Sequence, residues 1–315
     1  MTTRRVATVF GGSGFIGHYV VQRLARLDYV VRIATRFPDA ARRRMTSGRV
    51  GQIVALSVDL SQDASVARAV AGAEVVVNLV GVLAERKAGD FGRLQAEAAG
   101  RIARMSAAAG VRHLVQISAI GASAGSESAY GRSKAEGEAA VRAAFPQAVI
   151  LRPSIVFGAE DQFFNRFAAM TRLLPVLPVI GGNTRFQPVY VGDVAEAVEA
   201  AITREDAAGK TFELGGPRVA TFRELMETML EIVQRRRRVV EIPEGIARLQ
   251  AKLLGFLPNP PITQDQIVML RQDNVVSGTL PGLAELGVEP TPMEVVLPSY
   301  LGRYRVGGGK RSEVG

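Results

Sequence analysis

The sequence predicts an α/β protein with a doubly wound parallel sheet and a smaller C-terminal α/β lobe. Three observations carry this expectation. Apolar, β-rich runs alternate with helix-periodic stretches through the first half of the chain, as successive βαβ units do. The runs are continuously apolar, which suits strands covered by helices on both faces. The first of them leads straight into Gly11-Gly12-Ser13-Gly14-Phe15-Ile16-Gly17, where an amphipathic helix begins at once.

The first strand is Val6–Phe10, and Ile16, Val20, Leu24 and Leu27 give the helix Phe15–Leu27 one apolar face. Gly-x-x-Gly-x-x-Gly between a strand and a helix reads as the dinucleotide-binding turn of a Rossmann-type domain. Gly11 permits the tight turn, Gly14 lets backbone approach a pyrophosphate, and Gly17 lets the helix pack closely on the strand. The helix start adds free N–H groups and a positive dipole end. Gly12, Ser13, Phe15 and Ile16 therefore join the three glycines in the expected phosphate site.

The second strand is Val30–Ala34. In such folds its end meets the adenosine ribose, where an acid binds the 2′-hydroxyl and an arginine accommodates a 2′-phosphate. Here it ends Ile33-Ala34-Thr35-Arg36-Phe37 without an acid, and Arg42-Arg43-Arg44 follow. Arg36 thus points to NADP(H) in preference to NAD(H). After the third strand, Ile53–Leu56, come Asp59 and Leu60, with Asp59 placed to accept from an adenine amino group. The fourth strand, Val75–Val80, brings Asn78, Val80 and Gly81 to where backbone passes the nicotinamide side. The helix Leu94–Ala109 and the strands His113–Ser118 and Val149–Leu151 complete a dinucleotide-binding domain over residues 1–152, its sheet finished by later strands.

Tyr130-Gly131-Arg132-Ser133-Lys134 sets a tyrosine and a lysine on one helix face. A nearby ammonium favours the phenolate, so Lys134 is expected to lower the Tyr130 pKa and permit proton transfer near neutral pH. Lys134 can also hydrogen-bond a nicotinamide ribose.

Beyond Arg152 the texture changes. Pro153, Pro175, Pro178, Pro188 and Gly181-Gly182 break the alternation, which predicts a smaller lobe over residues 153–306. Thr221-Phe222-Arg223-Glu224 is a capping box, and Phe222, Leu225, Met226, Met229 and Val233 give the helix after it an apolar face. Ile246–Leu257 is amphipathic as well, with Ile246, Leu249, Leu253 and Leu257 on one side and Arg248 and Lys252 elsewhere. It is expected to cover a core; the alternative is a basic, apolar surface resting on a membrane or a membrane-bound partner. Pro258-Asn259-Pro260-Pro261 ends it, and Thr263 with Gln266 caps another short helix. Residues 307–315 read as a mobile tail.

Composition narrows the function classes. The chain has 315 residues and no cysteine, which excludes disulfides and thiolate metal sites. Its two histidines, His18 and His113, lie in separate elements, so no metal site is expected. No apolar run reaches the length of a bilayer span, and the early first strand leaves little room for a leader, so a cytosolic, bacterial chain is expected. The net charge of +9 suits nucleic acid, anionic lipid or an acidic protein. Arg42–Arg44 and Arg235–Arg238 carry no interleaved aromatics, which argues against nucleic acid and leaves a docking surface or solvated helix ends.

With the Gly11–Gly17 turn and the Tyr130–Lys134 pair in one chain, the sequence resembles the extended short-chain dehydrogenase/reductase superfamily over most of its length. Phe186-Gln187-Pro188-Val189-Tyr190-Val191-Gly192-Asp193-Val194-Ala195 resembles the segment supporting that superfamily's substrate lobe. Phe212-Glu213-Leu214-Gly215-Gly216-Pro217 resembles the strand and turn after it. The resemblance implies a catalytic hydroxyl after the fifth strand and an asparagine on the preceding helix. Ser118 ends the strand here, Ala119 or Ile120 stands where the hydroxyl is expected, and Gln95 takes the place of the asparagine. The tetrad is incomplete, so Tyr130 and Lys134 are vestigial or cofactor-positioning. Ser118 and Pro153 join the expected cofactor-binding set.

A narrower resemblance rests on Phe157-Gly158-Ala159-Glu160-Asp161-Gln162-Phe163-Phe164-Asn165-Arg166-Phe167 and on Leu174-Pro175-Val176-Leu177-Pro178-Val179-Ile180-Gly181-Gly182. These look like the NAD(P)H-binding accessory subunits of respiratory complex I, NADH:ubiquinone oxidoreductase. That resemblance implies a structural NADPH, no independent catalysis, and other complex I subunits of the peripheral arm as partners. It also implies peripheral contact with the membrane surface near the quinone site, at the cytoplasmic face of a bacterial inner membrane. Two further readings stand beside it: an NADP-dependent reductase or epimerase acting on a nucleotide sugar, and an NADPH redox sensor.

Overall fold

The computed structural model describes residues 5–42, 48–254, 260 and 262–307. The chain forms two compact units. The first gathers Met1–Pro153, Gly192–Leu214 and Ser277–Glu289, and the second Ser154–Val191, Gly215–Val276 and Pro290–Gly315. The chain returns to the first unit at Gly192–Leu214, which carries the last sheet strand and the helix before it, and again at Ser277–Glu289.

The first unit is a seven-stranded parallel sheet. Its strands are β1 (Val6–Phe10), β2 (Val30–Thr35), β3 (Ile53–Ser57), β4 (Val75–Asn78), β5 (His113–Ile117), β6 (Val149–Pro153) and β7 (Thr211–Leu214). Across the sheet they run β7-β6-β5-β4-β1-β2-β3. Helices α1 (Phe15–Arg26), α2 (Pro38–Arg42), α3 (Asp63–Val70), α4 (Ala98–Ala108) and α5 (Ala129–Ala144) connect them. The continuous apolar runs are the sheet's buried centre: Val9, Val31, Val76, Val77, Val115 and Ile150 are all inside. Strand order reverses between β1 and β4, where Phe10 lies opposite Asn78. A crevice opens beyond the carboxyl ends of strands at such a reversal, so the fold places the Gly11–Gly17 turn at its edge.

One expected helix starts differently. The stretch read as Leu94–Ala109 opens with a π-helical turn, Gly92–Glu97, and only then becomes α4.

The second unit packs around phenylalanines. Phe163 lies 5.5 Å from Phe222 and 5.6 Å from Phe167, ring centre to ring centre, and Phe186 lies 5.8 Å from Phe222. The Thr221 capping box forms, and the helix Phe222–Ile232 buries Phe222, Leu225, Met226 and Met229. Thr263 and Gln266 make the second capping box, at the start of the helix Gln264–Met269.

The helix Glu244–Leu254 departs from expectation. Ala247 and Ala251 pack inward with Ile267, while Ile246, Leu249 and Leu253 are 59%, 57% and 61% exposed. The small side of the helix faces the protein because two alanines allow close approach there, so its large apolar residues cover no core among the described residues. Of the Arg235–Arg238 run, Arg235 donates to the Tyr304 carbonyl (2.8 Å) and Arg237 to the Thr171 carbonyl (3.3 Å). Leu257, Arg43, Arg44 and residues 308–315 lie outside the described residues.

Candidate functional site

At the crevice, Gly11 has φ +77° and its carbonyl accepts from the Gly14 N–H at 3.0 Å. A Cβ on Gly17 would sit 2.6 Å from the Gly12 Cα, so α1 rests directly on the turn and no other residue fits there. Gly14 is the exposed N-cap of α1, with no side-chain cap and no acid in the first turn. The helix's first N–H groups are therefore left to an anion. Ser13, Phe15 and Ile16 surround that end half-buried or partly exposed. Gly12 instead faces the core, where a Cβ would meet Val9, Val21 and Ile33 at 3.2 Å. These features fit a pyrophosphate.

Past β2, Arg36 is exposed, with its guanidinium carbon 5.6 Å from the Phe37 ring centre and no carboxylate partner among the described residues. Arg42 is committed to Asp39 at 3.1 Å. Asp59, expected to accept from an adenine amino group, is exposed and already accepts three hydrogen bonds from its own turn. Its carboxylate accepts from the Ser61 N–H (2.9 Å), the Ser61 hydroxyl (2.7 Å) and the Gln62 amide (3.0 Å). The Ser61 backbone and hydroxyl hold it below the usual carboxylate range. Asp59 builds the turn before α3, and the neighbouring Leu60 carbonyl accepts from Arg101 at 2.7 Å.

At the other end, Asn78 is buried and turned to structural use. Its amide donates to Gln116 Oε1 at 2.8 Å, and its Oδ1 accepts from the Val80 N–H at 3.1 Å. The side chain thus shapes the bend that presents Val80 and Gly81. Gln116 is the partner that sequence reasoning missed. Its signal was there, as the one polar residue inside Leu114-Val115-Gln116-Ile117.

Tyr130 and Lys134 are both buried on α5, whose N-cap Ser128 accepts from the Gly131 N–H at 3.2 Å. Lys134 Nζ lies 5.8 Å from the Tyr130 ring centre and donates to the Ile117 carbonyl at 3.5 Å. Phe91 meets the Tyr130 ring edge-on at 5.9 Å. Here the expected electrostatics are corrected. Burial pushes the Tyr130 phenol well above its ordinary value and the Lys134 ammonium down to about 8. Desolvation outweighs the attraction of lysine for phenolate, so both groups are driven toward their neutral forms. A phenol shifted this way stays protonated at neutral pH.

Two buried oxygens nearby have no hydrogen-bond partner among the described residues: Gln95 Oε1, on a residue 2% exposed, and Ser118 Oγ, on one 4% exposed. Pro153 ends β6, and its carbonyl accepts from the Ile120 N–H at 3.1 Å. The crevice thus joins an anion-ready turn, a free arginine and a polar, under-bonded inner end.

Residues 7–215 match the NAD dependent epimerase/dehydratase family. Over 96% of this chain, the sequence is 37% identical to NADH dehydrogenase [ubiquinone] 1 alpha subcomplex subunit 9, mitochondrial, of Arabidopsis thaliana, and covers 79% of it. The rat protein of the same name is also 37% identical, with 98% of this chain and 83% of that one covered. The chain belongs to the NAD dependent epimerase/dehydratase family, with these subunit 9 proteins. The two resemblances read from the Gly11–Gly17 turn and from the Phe157–Phe167 segment are both met. A Bacillus cereus UDP-glucuronic acid 4-epimerase structure superposes with TM-score 0.71 at 18% identity, covering 94% of this chain and 98% of that one, which speaks for the shared fold alone. Within the NAD dependent epimerase/dehydratase family, a crevice fitted to a nicotinamide dinucleotide is what the geometry offers.

Proposed function

We propose that the chain is an accessory subunit of a respiratory NADH:ubiquinone oxidoreductase that holds one NADPH and does not turn it over. The observation that carries this reading is an intact dinucleotide turn beside a buried tyrosine–lysine pair whose phenol burial pushes well above its ordinary value. Ala119 and Ile120, where a carbonyl-orienting hydroxyl would be needed, add to it. Arg36, with no acid at the end of β2, favours NADPH over NADH. Binding only the folded state, the nucleotide would stabilise the chain by mass action.

The partners are other subunits of the peripheral arm. Among the described residues no helix is long and apolar enough to cross a membrane. The exposed Ile246, Leu249 and Leu253, with Lys252 beside them, support peripheral contact with the complex and the membrane surface, on the cytoplasmic face of a bacterial inner membrane. The test is mass spectrometry of what co-purifies with the tagged chain from gently solubilised membranes, with the released nucleotide identified in the same sample. Stoichiometric oxidoreductase subunits together with NADPH are expected. A lone chain whose nucleotide exchanges freely and is consumed by a carbonyl substrate would replace the reading with that of an enzyme.

A further inference from the structure

The second unit gathers positive charge at one end. The strands Val176–Val179 and Arg238–Glu241 pair in parallel with Val176 opposite Arg238, so both begin at the same end of a two-stranded ribbon. The helices Phe164–Met170 and Phe222–Ile232 stop there too, each just ahead of the loop that leads into a strand. Helix ends leave carbonyls unpaired and carry a negative partial charge, which draws arginine. Arg237 donates to the Thr171 carbonyl at 3.3 Å and Arg305 to the Ile232 carbonyl at 3.0 Å, while Arg235 donates to the Tyr304 carbonyl at 2.8 Å.

Capping accounts for those three arginines and not for their neighbours. Arg172, Arg236 and Arg238 are exposed, and their side chains bond nothing among the described residues. None of the six meets a carboxylate among the described residues, and the stretches 170–176, 231–238 and 304–307 hold one acid, Glu231. Between the arginines stand Leu173, Val176 and Val306, which are 87%, 41% and 76% exposed. Crowded like charges repel one another, and apolar side chains left in water gain by being covered. An anionic partner relieves both.

Guanidinium forks braced on backbone carbonyls are ordered before anything binds, and a planar fork matches a carboxylate two bonds at a time. Arginine is enriched at protein interfaces, whereas polybasic membrane segments use lysine as freely, and none of the six positions is lysine. At the far end of the ribbon, Ile180 and Ile242 pack with Ala247 and Ala251 of the helix whose exposed apolar side supports membrane contact. A bilayer met at that end leaves the arginine end to protein. We propose that the arginine end docks a carboxylate-rich segment of a neighbouring subunit, with Leu173 and Val306 covered at the same contact. This rests on the accessory-subunit reading and adds to it a surface and the chemistry of the partner that fits it.

The test combines a double variant, Arg236→Glu with Arg238→Glu, and a photocrosslinking amino acid installed at Leu173 of the otherwise unaltered full chain. The double variant keeps all three capping arginines, and urea denaturation checks that it folds. Its recovery in the gently solubilised oxidoreductase should fall about tenfold. The crosslink should join the chain to a peptide rich in aspartate and glutamate from one co-purifying oxidoreductase subunit. Vesicles of phosphatidylcholine and phosphatidylglycerol should bind wild type and double variant within about twofold of each other. The crosslink keeps the test decisive if the double variant folds poorly. Equal recovery of a folded variant, crosslinks to lipid alone or to a peptide without excess acid, or vesicle binding that collapses in the variant overturns the proposal and spares the accessory-subunit reading. A wild type absent from the oxidoreductase overturns both.

Discussion

In the second unit, the buried Asp161 carboxylate accepts from the Gly158 N–H at 3.2 Å, the Asn165 N–H at 3.1 Å and the Tyr300 hydroxyl. Asn165 is equally engaged. Its amide donates to the carbonyls of Ala159 (3.2 Å) and Asp161 (2.9 Å), and its Oδ1 accepts from the Tyr304 hydroxyl (3.1 Å) and from Arg303. In the first unit, by contrast, Gln95 Oε1 and Ser118 Oγ accept from no described residue, and the Lys134 ammonium has one long bond. Both clusters are buried and polar, yet only the Asp161–Asn165 cluster has its hydrogen bonds met within the described residues. A satisfied network fixes a fold, and an unsatisfied one stores a demand that something else must meet. The contrast separates the two family-like segments by purpose: Phe157–Phe167 is built to hold the chain together, and the crevice is built to receive.

The sharpest way to break that contrast is to damage the satisfied side. Asp161→Ala orphans two backbone N–H groups and the Tyr300 hydroxyl, and should cost about 3 kcal/mol or more in urea denaturation. A loss under about 1 kcal/mol would mean that the cluster holds nothing together.

Lys134→Met should act in the opposite direction on the nucleotide-free chain. The folded pKa of about 8 lies below the ordinary 10.5. Stability linked to this group is therefore fully present above 10.5 and is lost as pH falls through 8. At pH 7 the buried ammonium is a burden on the order of 3 kcal/mol, which methionine removes. Denaturation at pH 7 should find the variant more stable, with the gap closing as pH rises toward 10.5. A wild type as stable as the variant at pH 7 would show that the ammonium lacks nothing. Smaller still is the effect of Arg36→Glu. It should weaken NADPH by about tenfold, or 1.4 kcal/mol, and leave NADH nearly unchanged in a thermal-shift titration. Equal losses for both nucleotides would remove Arg36 from the 2′-phosphate.

Much of this was legible in the sequence, and the boundary of legibility is physical. The glycine turn, the strands and both capping boxes depend on residues adjacent in sequence, so their patterns survive translation into structure. Asp59 and Asn78 could be read from their positions at strand ends, but their side chains bond Ser61 and Gln116, and only the second partner is remote. The Tyr130–Lys134 spacing was equally plain. The direction of their pKa shifts was not, because it depends on how much water the folded crevice excludes. Two amphipathic helices make the point most directly. Phe222–Ile232 and Glu244–Leu254 show the same periodicity, yet the first turns its large residues inward and the second turns its alanines inward. Periodicity says which residues share a face; what packs against the helix decides which face is hidden.

That inverted helix supplies the mildest test of stability and a demanding test of docking. Ile246, Leu249 and Leu253 contribute little to the folded chain, since more than half of each is already in water. Replacing all three by serine should change its unfolding free energy by no more than about 0.5 kcal/mol per site. The same triple variant should assemble poorly with the membrane-bound oxidoreductase, because each side chain buried at a contact is worth about 1.5 kcal/mol or more. Comparing the recovery of wild type and variant in the solubilised complex, with urea denaturation as the control, separates the two effects. A variant that assembles fully would mean that these residues face water in the complex too. A variant that unfolds easily would mean that the helix supports the second unit after all, and the division between a self-sufficient cluster and surfaces awaiting partners would have to be redrawn.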